Sequence, residues 1–473
     1  MTTLTLQEHF EHTDESVELD SRDPLVRLEA LCDPDTFVLH YECDGAAAGV
    51  GRLDGSLSVV FATDARIQGG ALGVDSCDLI VHAYQLALDQ DIPVVGVWQS
   101  GGARLKEGAR SLHAVGRVFS AMTRVSGTIP QVSLVLGPAA GGAAYGPALT
   151  DVVVMGPDAR VMVTGPDVVR SVTGEDLDAV SLGGPEVHGR QSGVAHVTAD
   201  SDVEAIAKTR RVVGLMARAV VPVSVSDEQR DPAATLPEVA RRAYDVHPVV
   251  DAILDEPGVE LHKNWAPNVV TTLGRLHGRA VGVIANNPIR LGGCLNAPAS
   301  DKAARFVRMC DAFGIPLVVI VDVPGYLPGG KQEVEGIVRR GAKLLHAFSS
   351  ARVPRVTVVT RKAYGGAYIA MNSKSLGATN VFAWPGAEVD VMNPTAAVRI
   401  LNRRDLVGLD GEELAAAEDR LAAAHAVTTG GLSTALSEGL IDAVIDPIHT
   451  RDAISAAITN APADRGQLTN IPL

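Results

Sequence analysis

Ala139-Ala140-Gly141-Gly142-Ala143-Ala144-Tyr145-Gly146 and Ala363-Tyr364-Gly365-Gly366-Ala367-Tyr368 decide how this chain is read. Each follows an apolar run that reads as a buried strand, Pro130 to Leu136 in one case and Pro354 to Val359 in the other. Each is followed by small residues suited to opening a helix. A strand, a Gly-Gly turn and a helix N-terminus bring free backbone N–H groups to one point, and the helix dipole adds to their field. Aimed at a carbonyl oxygen that turns negative during a reaction, such a point is an oxyanion hole. A lone Gly-Gly turn is as readily explained by close backbone packing. Two of them in equivalent places call for more.

The equivalence extends well beyond the turns. Gly51-Arg52-Leu53-Asp54-Gly55 reappears 223 residues later as Gly274-Arg275-Leu276-His277-Gly278. Gly69-Gly70-Ala71-Leu72-Gly73 reappears at the same offset as Gly292-Gly293-Cys294-Leu295-Asn296, and Ile92-Pro93 as Ile315-Pro316. Ile129-Pro130 matches Val353-Pro354, and Gly141-Gly142 matches Gly365-Gly366, both 224 residues on. One register therefore holds over about a hundred residues with a single slip, far too long a period for a solenoid or propeller. The chain is expected to be one α/β fold used twice, with the two turns as matched sites.

The balance of residues narrows the function. A net charge of −15 disfavours a nucleic-acid partner, which needs a basic surface. The five cysteines are scattered, with no Cys-x-x-Cys pair, so neither a disulfide framework nor a metal site is indicated, and reduced thiols in the cytoplasm are expected. The N-terminus lacks the basic and apolar regions of a signal peptide, and no run of about 20 apolar residues suggests a membrane span.

Along the chain, residues 1–24 read as a loosely held lead-in and Asp23-Pro24 to Leu31 as a short helix. Leu53 to Ala62 reads as a hairpin turning at Asp54-Gly55, a pairing that favours tight two-residue turns. Asp75 to Leu88 and Ala109 to Val125 read as helices, and Pro93 to Trp98 as a strand between them. Asp151 to Met155 and Arg160 to Val163 are further strands. Val221 to Pro248 is rich in proline and charge and reads as a linker, which places one domain over 1–240 and a second over 241–473. The second copy repeats the pattern to Trp384. Asp410 to Ala426 is helical, Gly430-Gly431 breaks it, and Ser433 to Leu440 begins a last helical hairpin.

Together the motifs resemble the carboxyltransferase (β) subunit of biotin-dependent acyl-CoA carboxylases of the acetyl-/propionyl-CoA kind, with an actinobacterial cast. They are Ser100-Gly101-Gly102-Ala103-Arg104-Leu105, Ala140 to Asp151, Thr164 to Val169, Thr173-Gly174-Glu175-Asp176 and Ser192 to His196. In the second copy they are Lys302 to Phe306, Asp322 to Gly329 and Arg361 to Tyr368. The resemblance covers nearly all of the chain after about residue 20. It implies two duplicated crotonase-like domains, each a superhelix of β-β-α units, and a homo-oligomer, a hexameric ring in which the first domain of one subunit faces the second of its neighbour. It implies acyl-CoA on the first domain and carboxybiotin on the second. Biotin would be carried by a separate biotinylated α subunit with biotin carboxylase and carrier domains, since nothing in this chain resembles either.

On that resemblance the N–H groups of Gly141, Gly142 and Ala143 hold a thioester enolate, and those of Gly366 and Ala367 hold the ureido oxygen of biotin. Gly101, Gly102, Ala103 and Arg104 approach CoA, with Arg104 and Lys106 as candidates for its phosphates. Lys362 is a candidate for ordering the second turn. Tyr145 and Tyr368 are placed in matching positions beside the turns, and with Gly365 and Ile369 shape the acyl and biotin pocket. Ile369 stands where some relatives carry an acidic residue, which leaves acyl-chain preference open. His113, His188 and His196 have no place in a reaction that needs no protein base. The family's Ala-Val-Met-Gly-Ala run is Asp390-Val391-Met392-Asn393-Pro394 here, and Val334-Glu335-Gly336 replaces a Gly-Gly pair. A hydratase or isomerase of the same fold, the carboxyltransferase of a biotin-dependent decarboxylase, and a non-catalytic assembly subunit are the competing readings.

Overall fold

A computed structural model describes residues 20–217, 230–239, 242–428 and 431–472. Among the described residues, sixteen strands form two sheets. The first takes β1 (Val38–Cys43), β2 (Ala46–Leu53), β3 (Ser56–Thr63), β4 (Val94–Ser100) and β5 (Gln131–Ala140). It is completed by β6 (Val152–Met155), β7 (Arg160–Met162) and β8 (Val197–Thr198). The second takes β9 (Val259–Leu261), β10 (Val269–Leu276), β11 (Arg279–Asn286), β12 (Leu317–Val323) and β13 (Arg355–Tyr364). It is completed by β14 (Asn380–Ala383), β15 (Glu388–Asp390) and β16 (Ala443–Val444).

The first sheet runs β1-β2-β3-β4-β5-β6-β8, with β7 paired to the far end of β5. The second runs β9-β10-β11-β12-β13-β14-β16, with β15 paired to β13 in the same way. In both, a hairpin leads into parallel strands joined by helices. Parallel strands are covered on both faces, which is why β4 and β12 are apolar almost throughout. Helices Val74–Gln90 and Ala109–Val125 cover the first sheet, burying Ala83, Tyr84, Ala87, Val118 and Met122. Ala297–Phe313 and Ile337–Ser350 are their counterparts. Trp98 ties β4 to both neighbours: it packs edge-on to Phe61 of β3, 5.3 Å between centroids, and donates from Nε1 to Ser133 Oγ of β5 at 3.0 Å.

The repeat is also legible in the backbone. Asp54 and Gly55 take φ 49° and 77°, His277 and Gly278 take 49° and 76°, and both pairs close two-residue hairpins. Such turns need positive φ at both positions. Gln68-Gly69-Gly70 (50°, 63°, 76°) is matched by Leu291-Gly292-Gly293 (50°, 64°, 79°). The irregularity between Trp98 and Ser100 in the β4–β5 ladder recurs between Val321 and Val323 in β12–β13. Each hairpin turn is held by an aspartate. Asp33 accepts the N–H groups of Asp54 and Gly55 at 3.2 and 2.8 Å and pairs with Arg210. Asp255 accepts those of His277 and Gly278 at 2.9 and 2.8 Å and pairs with Arg451 at 3.0 Å.

Contacts divide the chain into two compact units. One holds the described residues of Met1–Ala219, Leu261–Trp265 and Gln467–Leu473; the other holds those of Val220–Glu260 and Ala266–Gly466. Two short pieces therefore join the first unit from afar. In one, the His262 N–H donates to His196 O at 2.6 Å and the two imidazoles lie 4.2 Å apart, with Trp265 against Gly193. In the other, Asn470 is 1% exposed and its Nδ2 donates to Asp151 Oδ1 at 2.5 Å.

Part of the stretch read as a linker lies outside the described residues; the rest contains a 3-10 turn, Pro232–Thr235, and a helix, His247–Ile253. The helical hairpin expected after Ser433 is not formed. Helix Leu432–Ser437 is followed by β16, which extends the sheet, before the last helix Thr450–Asn460. The apolar Ala443-Val444 pair finds an open edge at β14, and that edge outweighs local helix propensity.

His247 carries a pH signature. The hydrogen bond to Glu260 at 3.1 Å lifts its imidazole to about 9, burial works against this, and Asp245 at 2.5 Å adds to it. A pKa raised on folding contributes stability in full below the unfolded value of about 6.5, and that stability is lost as pH rises through 9. Thermal unfolding of His247→Gln is expected to fall below the wild type at pH about 6, with the gap closing above pH about 9. A gap that stays constant over this range would contradict the assignment.

Candidate active site

Both turns sit at the carboxyl ends of parallel strands, where α/β sheets bind ligands. β5 ends at Ala140, and Gly141 takes φ 60° and ψ −126°, a conformation that a side chain resists. Its N–H donates to Met162 O of β7 at 3.0 Å, so the β5–β7 pairing fixes the turn. Helix Gly142–Leu149 starts there with no side-chain cap. The first amides of a helix lack partners within it, so those of Gly142 and Ala143 are left to face a ligand. Gly146 lets the helix lie against Trp98, whose ring would stand 2.9 Å from an added Cβ.

The second turn repeats this geometry. Gly365 takes φ 58°, and helix Gly365–Ala370 again has no side-chain cap. Val391 O, just past β15, lies 2.9 Å from where a Cβ on Gly365 would sit. At Gly366 an added Cβ meets nothing within 4 Å, whereas at Gly142 it meets Val115 Cγ1 at 3.1 Å. The space beside Gly366 is open.

The 101–104 segment lies against the first turn. A Cβ on Gly102, which has φ 101°, would sit 3.0 Å from Ala140 O. Its carbonyl accepts from Leu72 N–H at 2.7 Å, and the Gly101 N–H donates to Gly69 O at 3.1 Å. The left-handed Gln68–Gly70 loop is thus zipped to Gly101–Ala103. The sequence signals that loop as a repeat but not as part of a site. Arg104 is 8% exposed. Its guanidinium donates to Ala71 O at 3.0 Å, to Asp44 Oδ2 at 2.8 Å and to Asp44 O at 2.8 Å. It serves the loop's shape, and Lys106 is the exposed cation of the pair.

Tyr145 and Tyr368 do not occupy matching positions. With Gly141 equivalent to Gly365, Tyr145 matches Ile369, and the two are 49% and 42% exposed. Tyr368 matches Ala144; it is buried, and its hydroxyl donates to Leu440 O at 3.4 Å. Tyr368 packs the helix, and Tyr145 and Ile369 are the side chains left at the surface beside the two turns. Two further exposed pairs fall at equivalent places, Val163 with Val391 beside the turn glycines and Val172 with Ile400 on the helices that follow. Their signal in the sequence is the matching helix openings at Pro166 and Pro394, 228 residues apart.

The departures around 390 and 334 are structural. Asn393 caps helix Pro394–Leu401, accepting from Thr395 and Ala396 N–H at 3.1 and 3.4 Å. Gly336, at φ 80°, is the N-cap of Ile337–Ser350. His188 is engaged by Ser192 Oγ and Val161 O, both at 2.7 Å, and His196 packs on His262. Among the described residues no cluster of His, Cys, Asp or Glu has the makings of a metal site, and no helix is long and apolar enough to cross a membrane.

Two turns, each at a strand end, led by a glycine near φ 60° and followed by a helix without a side-chain cap, can stabilise negative charge on two carbonyl oxygens. Residues 28–467 match the carboxyl transferase domain family. The chain belongs to that family. It falls among the biotin-dependent acyl-CoA carboxylase β subunits, and carboxyl transfer is its reaction class. It is 58% identical over 461 residues to a biotin-dependent acetyl-/propionyl-coenzyme A carboxylase β6 subunit of Mycobacterium tuberculosis, covering 96% of this chain and 98% of that one. It is 53% identical to a propionyl-CoA carboxylase β chain of Rhodococcus erythropolis, covering 96% and 97%. The crystal structure of transcarboxylase 12S, described as a hexamer with methylmalonyl-coenzyme A bound, superposes with a TM-score of 0.87 at 36% identity. That superposition covers 95% of this chain and 92% of the other. The two halves of this carboxyltransferase thus have the crotonase-like fold.

Proposed function

We propose that this subunit moves a carboxyl group between biotin and the α carbon of acetyl- or propionyl-CoA, giving malonyl- or methylmalonyl-CoA for lipid synthesis in the cytoplasm. The observation that carries this reading is the duplicated turn, Gly141-Gly142-Ala143 and Gly365-Gly366-Ala367, each at a strand end and each led by a glycine near φ 60°. A hydratase needs one such turn. Two serve a reaction in which charge develops on two carbonyls in succession.

In this reading the Gly142 and Ala143 N–H groups hold the thioester oxygen as its α carbon gains charge, and Gly141 keeps them aimed. The Gly366 and Ala367 N–H groups hold the ureido oxygen. Each fixed donor contributes about 3–4 kcal/mol where charge builds up. The open space beside Gly366 and the lack of a side chain at Gly365 suit a flat ring lying close to the backbone. Biotin, brought by a biotinylated α subunit, would supply the labile carboxyl group and a basic ureido group, so the reading asks no side chain of this subunit to act as a base. Gly101, Gly102 and Ala103 line the CoA approach, and Arg104 holds them in place. Tyr145 and Ile369 limit the acyl chain. The subunit works as a hexamer, and each complete site joins the first turn of one subunit to the second turn of its neighbour.

The test is carboxyl transfer from malonyl-CoA and methylmalonyl-CoA to free biotin by the purified chain. Acyl-CoA and carboxybiotin are expected from both donors, and their relative kcat/KM gives the acyl preference. No transfer by a folded hexamer would favour an assembly role.

A further inference from the structure

The two turns share a backbone but differ in the side chains beneath them. With the register of the repeat, Gln99 is replaced by Asp322, Gly137 by Arg361 and Pro138 by Lys362. The first turn thus has neutral residues where the second has an anion and two cations. Asp322 is 3% exposed; its Oδ1 accepts the Lys362 N–H at 3.3 Å and its Oδ2 lies 3.8 Å from Arg361 Nε. Arg361 lies over the Tyr244 ring at 5.3 Å and donates to Arg242 O at 3.0 Å, so its charge is spent within the fold. Lys362 is different. It is half-buried, three residues before Gly365, and forms no ion pair among the described residues. Glu388, opposite it in β15, is taken by the Tyr364 hydroxyl. The charge of Lys362 is felt at Asp322 and at Cys294, on the loop that follows the left-handed Gly292-Gly293 pair.

A half-buried cation without an ion pair, on the strand that leads into an open turn three residues later, is placed to meet an anion brought there by a ligand. Resting on the reading of the second turn as the ureido site, we propose that Lys362 selects the carboxylated form of that ligand. Its ammonium takes the N-carboxylate, and Asp322 and Arg361 hold the strand that carries it. An ammonium on a flexible stem suits a group that arrives, gives up its charge as neutral CO2 and leaves. The first turn receives a neutral thioester and has Pro138 in the corresponding place.

The test uses two stable probes, N1′-carboxymethyl-biotin and N1′-carbamoylmethyl-biotin, both as methyl esters of the valeryl chain. They differ by one charge at the position of interest, and calorimetric binding requires no turnover. The wild type is expected to bind the acid about tenfold tighter than the amide, the worth of one charge-assisted hydrogen bond. Lys362→Met is expected to bind both equally, with an unchanged melting temperature, and Lys362→Arg to recover most of the preference. Equal binding of the probes by the wild type, or a preference that survives in Lys362→Met, overturns the inference and leaves the ureido reading standing. A wild type that binds neither probe overturns that reading and the inference with it.

Discussion

Replacing Gly366 by valine is expected to abolish carboxyl transfer and leave the fold untouched. A Cβ at this position meets no atom within 4 Å, and Gly366 is not among the glycines held at positive φ, so neither clash nor strain opposes the change. What the side chain fills is the space in front of the Gly366 and Ala367 amides. Loss of one oxyanion donor costs about 100- to 1,000-fold in rate, and displacement of the ligand from two adjacent donors costs at least as much. The measurement is transfer from malonyl-CoA to biotin, alongside thermal unfolding and binding of acyl-CoA. Lost transfer with retained melting temperature and acyl-CoA affinity is the expected combination. Near-normal transfer would remove the second turn from the reaction.

The largest effect on stability is expected at Asp255. Its carboxylate holds the His277-Gly278 turn through two amides and meets Arg451, whose guanidinium also donates to Ile253 O at 2.7 Å and Leu254 O at 2.9 Å. Both side chains are about a tenth exposed, at 10% and 11%. Removing one partner of a buried pair strands the other charge, which costs about 3–5 kcal/mol. The equivalent Asp33 and Arg210 are more open, at 20% and 32%, so Asp33→Ala is expected to cost about 1–2 kcal/mol. Denaturant unfolding of the two variants checks the order. Equal losses would mean that the turns, rather than the ion pairs, set the cost.

The sequence showed the duplication because its markers are glycines that the backbone cannot do without. Gly55 and Gly278, Gly70 and Gly293, and Gly141 and Gly365 recur because each sits at positive φ. The strands at 93–98 and 130–136 and the helices at 75–88 and 109–125 were legible from their apolar patterning; the structure keeps 109–125, lengthens 75–88 to Val74–Gln90, and starts each strand one residue later while carrying it on to Ser100 and Ala140. What could not be read is what depends on distant partners. The pairing of Asp33 with Arg210 spans 177 residues and that of Asp255 with Arg451 spans 196. The entry of Leu261–Trp265 and of the C-terminal segment into the first unit leaves no local pattern. Tyr145 and Tyr368 looked equivalent because both follow a Gly-Gly pair; the one-residue difference in their spacing from it puts one at the surface and the other in the core. Arg104 looked like a phosphate ligand for a similar reason. Its partner Asp44 lies 60 residues away, beyond the reach of any motif.

In the proposed assembly a complete site is made from one first turn and one second turn on neighbouring subunits. The most direct measurement co-expresses Gly142→Val and Gly366→Val chains and follows carboxyl transfer by the mixed oligomer. Each variant alone is expected to be inactive, because every one of its sites lacks a turn. With random assembly in a closed ring, about a quarter of the sites in the mixture regain both intact turns, and activity is expected to return to about that fraction of wild type. A mixed oligomer as inactive as its parents would contradict the claim.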